Sequence, residues 1–479
     1  MTRELSQLAH RFDGRTEIAR VRELHEDLEP GAESGSIYRC AGRVLGRRGQ
    51  GKVAFLDLVD RSGRLQLMAS LDGMGEEAYA VVAGLKLGDL IGCEGEAIVS
   101  RRGELSLRLG SCELLAPCER PLPDLHHGLS DVEARYRQRY VDLMVNDEVR
   151  GDFATRAKLI AGGRRYLDEE GFIEVETPVL QPLYGGASAR PFTTQHNELD
   201  RTLYLRIATE LYLKRLIVGG LERVYELGKD FRNEGVSFKH NPEFTMVEWY
   251  EAYTDYEGAM ERTEGFVAAG LVAALGATTI TFGGRQIDCA PPWPRIPLAQ
   301  AILDRCGVDV LADRDAERLR GELVAKGAAA AAGDKTWAKL VDRALSHFVE
   351  PAVVEPVFLT EYPVELSPLA RPIASNPRLV ERFEAFCAGM EFGNGYTELN
   401  DPDVQLERFR EQGEMAAAGD GDAHPLDLDY VEALRFGMPP TGGVGVGIDR
   451  IAMLATGRPS IRDVVLFPAL RDRAEAGGA

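Results

Sequence analysis

A glycine at every second position marks the segment from Gly443 to Arg450, which reads GVGVGIDR. Side chains of a strand alternate between its faces, so Val444, Val446 and Ile448 are expected to enter a core while the glycines leave the other face bare. The pattern predicts a strand that ends at Arg450, followed by a helix. A bare face beside an arginine suits a flat ligand that carries phosphate, but a strand crossed closely by another backbone fits the pattern equally well.

A second polar segment, at 222–253, is predicted to form a long β-hairpin with strands at 223–234 and 243–253. Strand alternation would place Arg232 and Glu234 on one face of the first strand. An arginine fork binds phosphate or carboxylate, and an aromatic ring stacks on a base, so the hairpin suits a nucleotide site better than a merely solvated surface. The side chains expected to join them are Phe244, Met246, Glu248 and Tyr250 on the return strand and His240 in the loop.

Carboxylates are dense in a third segment, which is otherwise rich in phenylalanine. Asn394, Tyr396 and Glu398 are expected on one strand face, with Glu384 and Glu391 before them. Buried carboxylates are costly unless cations or a metal neutralise them. Magnesium beside polyphosphate is one solution, because it accepts one or two carboxylates and leaves its other positions to phosphate oxygens and water. The alternative is pairing with local cations, Arg378 and Arg382.

Composition indicates a globular protein that carries these segments. A chain of 479 residues with 44% hydrophobic content can build two domains, or one large domain with an appendage. The formal net charge of -20 argues against general affinity for polyanions, so any contact with nucleic acid must be a local patch. The 7 cysteines include no C-x-x-C pair and are predicted to be reduced core thiols rather than zinc ligands. No run of about 18 apolar residues and no apolar leader is present, which predicts a cytoplasmic protein without a membrane segment.

The elements that position these residues fall into two composition regimes, with a boundary near residue 125, and predict an α+β protein. Short β-rich segments between turns predict a small five-stranded barrel of the oligonucleotide-binding (OB) type. Longer elements follow, including a helix at 155–170 and a strand at 172–178. The expected barrel strands are 37–45, 53–59, 64–69, 90–99 and 105–109. The expected divisions are an N-terminal extension at 1–35, the barrel at 36–120, a proline-rich linker at 121–140, and a larger domain at 141–479 with a helical insertion around 297–350.

The barrel is expected to present basic residues beside an aromatic ring. Arg47 and its basic neighbours flank Phe55 and Gln66 in the predicted strands. Such a surface suits a single-stranded base that stacks on the ring while cations hold the phosphates. The alternative, in which Phe55 is core and the arginines are solvated, stays open from the residues alone.

Taken together, these segments resemble the signature motifs of class II aminoacyl-tRNA synthetases, and within that family the branch specific for lysine. Motif one is similar to GFIEVETPVL at 171–180, motif two to FRNE at 231–234 with HNPEFTMVE at 240–248, and motif three to the glycine strand. The lysine branch is suggested by three further segments, 185–192, 208–215 and 393–401. The resemblance implies an OB-fold barrel that binds the anticodon, a catalytic domain with an antiparallel sheet flanked by helices, and a homodimer formed through motif one.

The resemblance also implies a reaction and a set of site residues. L-lysine would be activated with ATP and Mg²⁺ to lysyl-adenylate and transferred to the 3′ end of tRNA(Lys), with Arg232 and Arg450 as catalytic residues. ATP would be bound by Arg232, Glu234, His240, Asn241, Phe244, Glu391, Gly447 and Arg450. Lysine would be bound by Gly186, Glu210, Arg232, Glu248, Tyr250, Asn394, Tyr396 and Glu398. Magnesium would be held by Glu384 and Glu391, and the anticodon would be read by Arg47, Phe55, Gln66 and Glu104.

The polar residues favour lysine independently of the resemblance. Glu248 and Glu398, with Tyr250 and Tyr396, offer anionic and hydroxyl acceptors, whereas an acidic substrate would need a cation. Buried hydrogen-bonding groups reject analogues that lack the partner by on the order of ten-thousand-fold, so no editing domain is required against neutral amino acids. Gly442, where some relatives have alanine, is expected to enlarge the space beside the glycine strand.

Two other functions stay open. A related ligase that lysylates a protein would resemble only the catalytic part, so the predicted barrel counts against it. A non-catalytic paralogue would be expected to lose its arginines or its magnesium carboxylates, yet Arg232, Glu384, Glu391 and Arg450 are all present. The basic helix that many relatives carry before the barrel is not found in this sequence, which predicts weak accessory affinity for tRNA.

Overall fold

The computed structural model describes residues 9–49, 51–124, 128–417 and 425–471. The chain forms two compact units, Met1–Asn146 and Asp147–Ala479. All seven cysteines are free thiols; five of them are buried, as the sequence predicts, whereas Cys112 and Cys118 are only half-buried. Across the described ranges, no helix combines the length and the apolar character needed to cross a bilayer.

The first unit contains a closed barrel with strand order β1-β2-β3-β5-β4. Alternating apolar residues build it: Leu65, Leu67 and Ala69 of one strand all point into the core. Ile18 and Val21 join that core from a helix that precedes the barrel, within the predicted N-terminal extension. The strands are β1 Glu33–Arg48, β2 Val53–Val59, β3 Arg64–Ser70, β4 Leu90–Val99 and β5 Leu105–Ala116. The helices are α1 Ile18–Leu24, α2 Leu71–Met74, α3 Glu76–Gly84, α4 Val132–Arg137 and α5 Arg139–Val145.

The second unit is built on a mixed, mainly antiparallel sheet with the order β14-β15-β17-β18-β19-β11-β10-β6, where β16 pairs with β17. Only its outermost pairs, β14 with β15 and β6 with β10, run parallel. Its strands and those of two small sheets are β6 Ile173–Glu174, β7 Leu180–Gln181, β8 Thr193–His196, β9 Arg201–Leu205, β10 Arg223–Phe231, β11 Glu243–Ala252, β12 Thr279–Phe282, β13 Arg285–Asp288, β14 Arg295–Pro297, β15 Val357–Pro363, β16 Pro372–Ile373, β17 Asn376–Cys387, β18 Met390–Thr397 and β19 Thr441–Gly447.

Helices flank this sheet and bury one of its faces, which confirms the α+β class. Trp249 of β11 packs on Phe266 of the adjoining long helix, with ring centroids 5.2 Å apart. The helices are α6 Asp147–Glu169, α7 Glu210–Val218, α8 Tyr256–Leu275, α9 Leu298–Cys306, α10 Ala316–Ala325, α11 Trp337–Ala344, α12 Pro402–Ala417, α13 Leu428–Arg435, α14 Ile448–Thr456 and α15 Ile461–Val464. Short 3₁₀ or π turns lie at Ala329–Gly333, Leu345–Val349, Glu350–Ala352 and Val364–Leu366.

Several predicted element boundaries are wrong. The first hairpin strand ends at Phe231, so Arg232 and Glu234 lie in the loop beyond it. The backbone N–H of Arg232 still donates to Pro242 O at 2.9 Å, but proline has no N–H with which to continue the ladder. Likewise the glycine strand ends at Gly447, and Arg450 lies in the first turn of α14. The strand predicted at 172–178 is reduced to β6, the helix predicted at 155–170 begins at Asp147, and Glu398 lies just beyond β18.

Candidate active site

A cavity of about 330 Å³ opens on the face of the large sheet opposite helices α6, α8 and α14. Its walls come from β11, β18, β19 and the loops around them. The residues predicted from the sequence to be catalytic or to bind ATP or lysine line it together: Gly186, Glu210, Arg232, Glu234, His240, Asn241, Phe244, Glu248, Tyr250, Glu391, Asn394, Tyr396, Glu398, Gly447 and Arg450. Glu384 is not among the described residues that line the cavity.

The side chains that neighbour the bare face of the glycine strand differ from one end of β19 to the other. A side chain at Gly443 would overlap Glu398 and Tyr250, so this end is already occupied by acidic and hydroxyl groups of the chain. At Gly445 a Cβ would lie 3.1 Å from the Met246 methyl group. Gly447 has ordinary contacts only and lies beside Arg450. The strand therefore connects an acidic end of the cavity with a cationic end.

Gly442 faces away from this cavity, contrary to the expectation drawn from the sequence. A Cβ there would lie 2.7 Å from Asp255 O and 3.0 Å from the Thr254 Cγ2 atom. Strand alternation explains this, because Gly442 and Gly443 must point to opposite faces. Alanine at this position would crowd the backbone before α8 and would not reduce the space for a ligand.

Glu248 is one of the buried carboxylates at the acidic end, and only 5% of it is exposed. Its Oε1 accepts a hydrogen bond from the Thr209 N–H at 3.3 Å, and its Oε2 accepts one from the Tyr250 hydroxyl at 3.2 Å. Burial, with the nearby carboxylates of Asp230 and Glu210, raises the pKa of Glu248 to about 8. A cationic group that entered here would stabilise the charged form of this side chain.

Glu210 and Glu398 complete the acidic end, and a lysine of the chain itself lies between them. The Tyr396 hydroxyl donates to Glu210 Oε1 at 2.6 Å. Lys214 Nζ donates to the same oxygen at 2.5 Å and forms an ion pair with Glu398. Sequence reasoning missed Lys214 as a site residue, although a lysine one helical turn after Glu210, in position for an i,i+4 ion pair, was a signal that could have revealed it.

At the other end of the cavity, cations are partly exposed. Arg450 Nη1 donates to Glu391 O at 2.6 Å and lies 3.1 Å from Glu391 Oε2. His240 Nε2 lies 3.5 Å from Arg450 Nη2. Desolvation and the charge of Arg450 lower the pKa of His240, so its ring stays neutral near pH 7. This end offers a cation and a neutral ring to an anionic group.

Arg232 and Phe244 lie between the two ends. The Arg232 guanidinium stacks over the Phe244 ring at 5.1 Å from its centroid, and its Nε lies 3.5 Å from Ile207 O. Asn241, which is predicted to bind ATP, uses both polar atoms of its side chain within the protein: its amide NH₂ donates to Glu243 O at 2.5 Å, and its Oδ1 accepts from the Ala469 N–H at 3.0 Å. Its side chain therefore positions the loop rather than leaving both polar atoms for a ligand.

Further side chains that hold the cationic end in place were not predicted from the sequence. Asp449 is buried, accepts a hydrogen bond from the Thr245 N–H at 2.8 Å and lies 2.6 Å from Arg156 Nη1. This network fixes the start of α14, and with it Arg450, against β11. Lys239 donates to Glu350 Oε1 at 2.5 Å and to Gly389 O at 3.1 Å, which ties the hairpin loop to neighbouring elements. These contacts join residues distant in sequence and leave no local pattern.

The two carboxylates predicted to hold magnesium differ in access. Glu384 accepts hydrogen bonds from Arg382 at 2.5 Å and from the Tyr362 hydroxyl at 2.8 Å, so the alternative of local ion pairing holds for this residue. Burial raises the pKa of Glu384 to about 7, and the charge of Glu391 adds to that rise. Two carboxylates that repel each other are a suitable oxygen donor set for a hard divalent cation. No cluster of three or more ligating side chains occurs in the described ranges, so further ligands would have to come from phosphate and water.

Arg382 also reaches into the cavity wall, a second role that the sequence did not reveal. Its Nε donates to Asn394 Oδ1 at 2.8 Å, and its Nη1 donates to Leu366 O and to the Ser367 hydroxyl, both at 2.8 Å. The Asn394 amide group is thereby oriented with its NH₂ toward other partners. Arg382 thus links the predicted carboxylate-binding residue to the predicted metal ligand Glu384.

On the barrel, the predicted anticodon residues are only partly brought together. Phe55 is half-buried and, over the described residues, is not part of the barrel core, which disfavours the core alternative. Gln66 accepts from Arg48 at 3.1 Å and donates to Ser106 at 2.8 Å on the same outer face. Arg47 alternates to the other face and donates to the carbonyl groups at the end of α3. Glu104 is exposed in the turn before β5.

Comparison with known proteins agrees with this geometry. Residues 131–471 match the family model described as tRNA synthetases class II (D, K and N), and residues 38–115 match an OB-fold nucleic acid binding domain. A protein named Lysine--tRNA ligase from Chloroflexus aurantiacus is 52% identical over 96% of this chain and 93% of its own length. Proteins of the same name from Bacillus subtilis, at 48% identity over 97% of this chain and 93% of the relative, and from Pelotomaculum thermopropionicum, at 49% over 90% and 86%, are similarly related.

Proposed function

Because the chain belongs to the class II tRNA synthetases, a family of enzymes, we propose that it acts as a lysine–tRNA ligase. In this reaction L-lysine is activated with ATP to lysyl-adenylate, and lysine is then transferred to the 3′ end of tRNA(Lys). The observation that carries the choice of amino acid is the enclosed acidic end of the cavity, where Glu210, Glu248 and Glu398 are almost completely buried. Such a site suits a substrate with two ammonium groups and excludes neutral side chains.

Lysine would lie with its two ends in different environments. Glu210 would receive the α-ammonium group, while Glu248, Tyr250 and Glu398 would receive the ε-ammonium group at the deep end. Gly186 supports this placement, because a Cβ there would lie 2.9 Å from Glu210 Cβ and would fill the approach to that carboxylate. The substrate carboxylate would then point toward the nucleotide end; the residues proposed to receive it are Arg232, Asn394 and Tyr396.

ATP would occupy the cationic end. Arg232 would contact the α-phosphate, and the adenine would stack between Phe244 and Arg450, for which the guanidinium now over Phe244 must move aside. Glu234 lies in the loop where it could accept from the adenine amino group, and His240 lies beside Arg450 toward the γ-phosphate. Asn241 and Gly447 complete the lining.

The chemistry needs positioning and charge neutralisation rather than covalent work by the protein. A lysine carboxylate oxygen attacks the α-phosphorus, the bond to the bridging oxygen breaks, and pyrophosphate leaves; the terminal ribose hydroxyl of tRNA then attacks the adenylate carbonyl and AMP leaves. Arg232 and Arg450 would neutralise the phosphate charge. Mg²⁺, when bound by Glu391 and Glu384, would supply further neutralisation of the polyphosphate oxygens.

The remaining partners follow from the same proposal. The barrel would bind the anticodon of tRNA(Lys) through its outer face, with Phe55 as the stacking ring and Gln66 and Glu104 as hydrogen-bonding groups. The segment around β6 exposes Ile173 and, after it, Val179 and Leu180, which suits an interface in a homodimer. The protein would work in the cytoplasm, where tRNA is charged.

The proposal is tested by ATP/pyrophosphate exchange across a panel of amino acids, followed by charging of tRNA. Exchange that depends on lysine and not on aspartate, asparagine or norleucine is expected. Exchange with aspartate instead of lysine would overturn the assignment of the acidic pocket. Lysine-dependent exchange without charging of tRNA(Lys), but with transfer to a protein acceptor, would favour the protein-lysylating alternative.

A further inference from the structure

Lys214 is a buried cation at the acidic end of the cavity for which the proposed reaction has no role so far. It lies one helical turn after Glu210 on α7, and none of its surface is exposed. Its Nζ donates to Glu210 Oε1 at 2.5 Å and forms an ion pair with Glu398. The Tyr396 ring lies 5.4 Å from the same nitrogen. A fully buried ammonium group is tolerated only because these partners surround it.

Charged and titratable groups face Lys214 from each neighbouring element. Glu210 belongs to its own helix, Glu398 follows β18, Tyr396 lies on β18 and Tyr430 lies on α13. Burial raises the pKa of both tyrosines, so their hydroxyl groups are neutral. Burial by itself would lower the pKa of Lys214, but the charges of Glu210 and Glu398 outweigh it and raise this pKa, so Lys214 keeps its proton. Lys214 thus contributes one permanent positive charge between two carboxylates.

Each of these carboxylates has a second oxygen directed elsewhere. Glu398 Oε1 has no hydrogen-bond partner among the described residues and lies next to Gly443, which lines the cavity. Glu210 Oε2 lies next to Gly186, which also lines the cavity. Lys214 therefore binds one oxygen of Glu210 and one of Glu398, and leaves the other oxygen of each carboxylate for a ligand in the cavity.

We propose that Lys214 is a positioning and specificity-determining residue, which bridges Glu210 and Glu398 and sets the net charge of the acidic end to match a diamino acid. This role of Lys214 rests on the proposed function, in which the cavity binds lysine. Glu210, Glu248 and Glu398 bring three negative charges when ionised, and Lys214 cancels one of them; the nearby Asp230 is not counted because it forms an ion pair with Arg206. The two that remain equal the two ammonium groups of lysine, while the substrate carboxylate is matched by Arg232. With an amino acid that carries only one ammonium group, one carboxylate would find no cation and would take up a proton, so the site would lose the ion pair that favours lysine.

The first test is the variant Lys214→Met, with Lys158→Met on the exposed surface of α6 as the matched control. In lysine-dependent pyrophosphate exchange at pH 7.5, the KM for lysine is expected to rise at least tenfold in Lys214→Met, while the KM for ATP changes less than twofold. The rise should be larger at pH 7 than at pH 9, because carboxylates that lose a cationic neighbour are protonated more readily. Equal rises for both substrates, or an unchanged KM for lysine in a folded variant, would overturn the proposal.

The second test restores the charge match by removing a carboxylate together with the lysine. With all of its carboxylates ionised, the acidic end carries a net negative charge of one in Glu398→Gln, three in Lys214→Met and two in the double variant. The KM for lysine of the double variant is expected to be lower than that of either single variant. Additive losses in the double variant would refute charge matching. If Lys214→Met does not fold, the KM for lysine of the double variant is compared with that of Glu398→Gln alone: a lower value supports charge matching, and an equal or higher value refutes it. Wild-type exchange that does not depend on lysine would instead overturn the proposed function itself.

Discussion

The acidic end of the cavity encloses its charged side chains, whereas the outer face of the barrel leaves its charged side chains in contact with water. In the cavity, Glu248 and Glu398 are 5% and 1% exposed, and their pKa values are raised. On the barrel, Arg48 pairs with Asp57 at 3.0 Å with its own side chain 64% exposed, and the side chain of Glu104 is 55% exposed. Charges enclosed away from water interact strongly, whereas exposed pairs are screened and contribute about 0–1 kcal/mol.

The difference indicates where each kind of selectivity can reside. A charged amino acid is selected best where water is excluded, because an unmatched charge there is costly. A base is bound at an exposed surface mainly by stacking, which depends on a ring such as Phe55 rather than on buried charge. Changes in one region should therefore alter amino-acid activation, and changes in the other should alter tRNA charging only.

The largest effect is expected from Glu248→Gln in the cavity. The change removes the buried acceptor proposed for the ε-ammonium group and should raise the KM for lysine about 100-fold, since hydrogen bonds to charged groups contribute about 1.5–3 kcal/mol. The KM for ATP in pyrophosphate exchange should change less than threefold. Glu243→Gln, at the exposed start of the same strand, is the control. Equal losses for lysine and ATP would show that Glu248 supports the fold rather than the ligand.

A smaller effect, confined to the barrel, is expected from Phe55→Ala. Loss of one stacking ring costs about 1–3 kcal/mol and should lower the kcat/KM for tRNA charging about tenfold. Pyrophosphate exchange with lysine should stay at the wild-type rate. Ile37→Ala, which removes an exposed apolar side chain elsewhere on the barrel, provides the control. A loss of exchange in Phe55→Ala would contradict the separation between the two regions.

The next smaller expected effect is a pH dependence of the affinity for lysine, which should arise from the cavity alone. The pKa of Glu248 in the empty site is about 8, so this side chain is mostly protonated at pH 7.5 and mostly charged at pH 8.5. An ammonium group binds the charged form, so lysine affinity should increase about threefold across this interval. Binding measured by calorimetry over this range checks the trend, and Glu248→Gln should abolish it. Affinity that stays flat or falls as the pH rises would be inconsistent with this assignment.

The smallest effect on substrate binding is expected from Gly442→Ala. The added methyl group would crowd Asp255 O on the face of β19 away from the cavity, so the midpoint of thermal unfolding should fall by a few degrees. The KM values for lysine and ATP should both stay within twofold of wild type. A selective change in the KM for lysine would restore the expectation, drawn from the sequence, that this position borders the ligand.

Much of the candidate site could be predicted from the sequence because strand alternation is a local property. The period of two places Phe244, Met246, Glu248 and Tyr250 on one face of β11, and all four line the cavity. The same rule assigns the glycines of β19 to the bare face, and the barrel follows from short alternating strands between turns. These inferences need only neighbouring residues.

The predicted ends of elements were less accurate, because they depend on contacts with distant segments. Arg450 was expected on a strand, but α14 starts earlier, where the Asp449 carboxylate takes over the Thr245 N–H. Arg232 was expected within the hairpin strand, but it follows the strand and stacks on Phe244. In both cases the side chain still lines the cavity, Arg232 from a loop and Arg450 from a helix.

The sequence alone determined which residue types face the cavity, since spacing along a strand fixes the face on which a side chain lies. Only the tertiary structure decided how their charges are balanced. Lys214 reaches Glu398 across the fold, Arg382 holds both Glu384 and Asn394, and Gly442 points away from the ligand side. Charge balance depends on distances between elements remote in sequence and on the exclusion of water, neither of which is encoded in local periodicity.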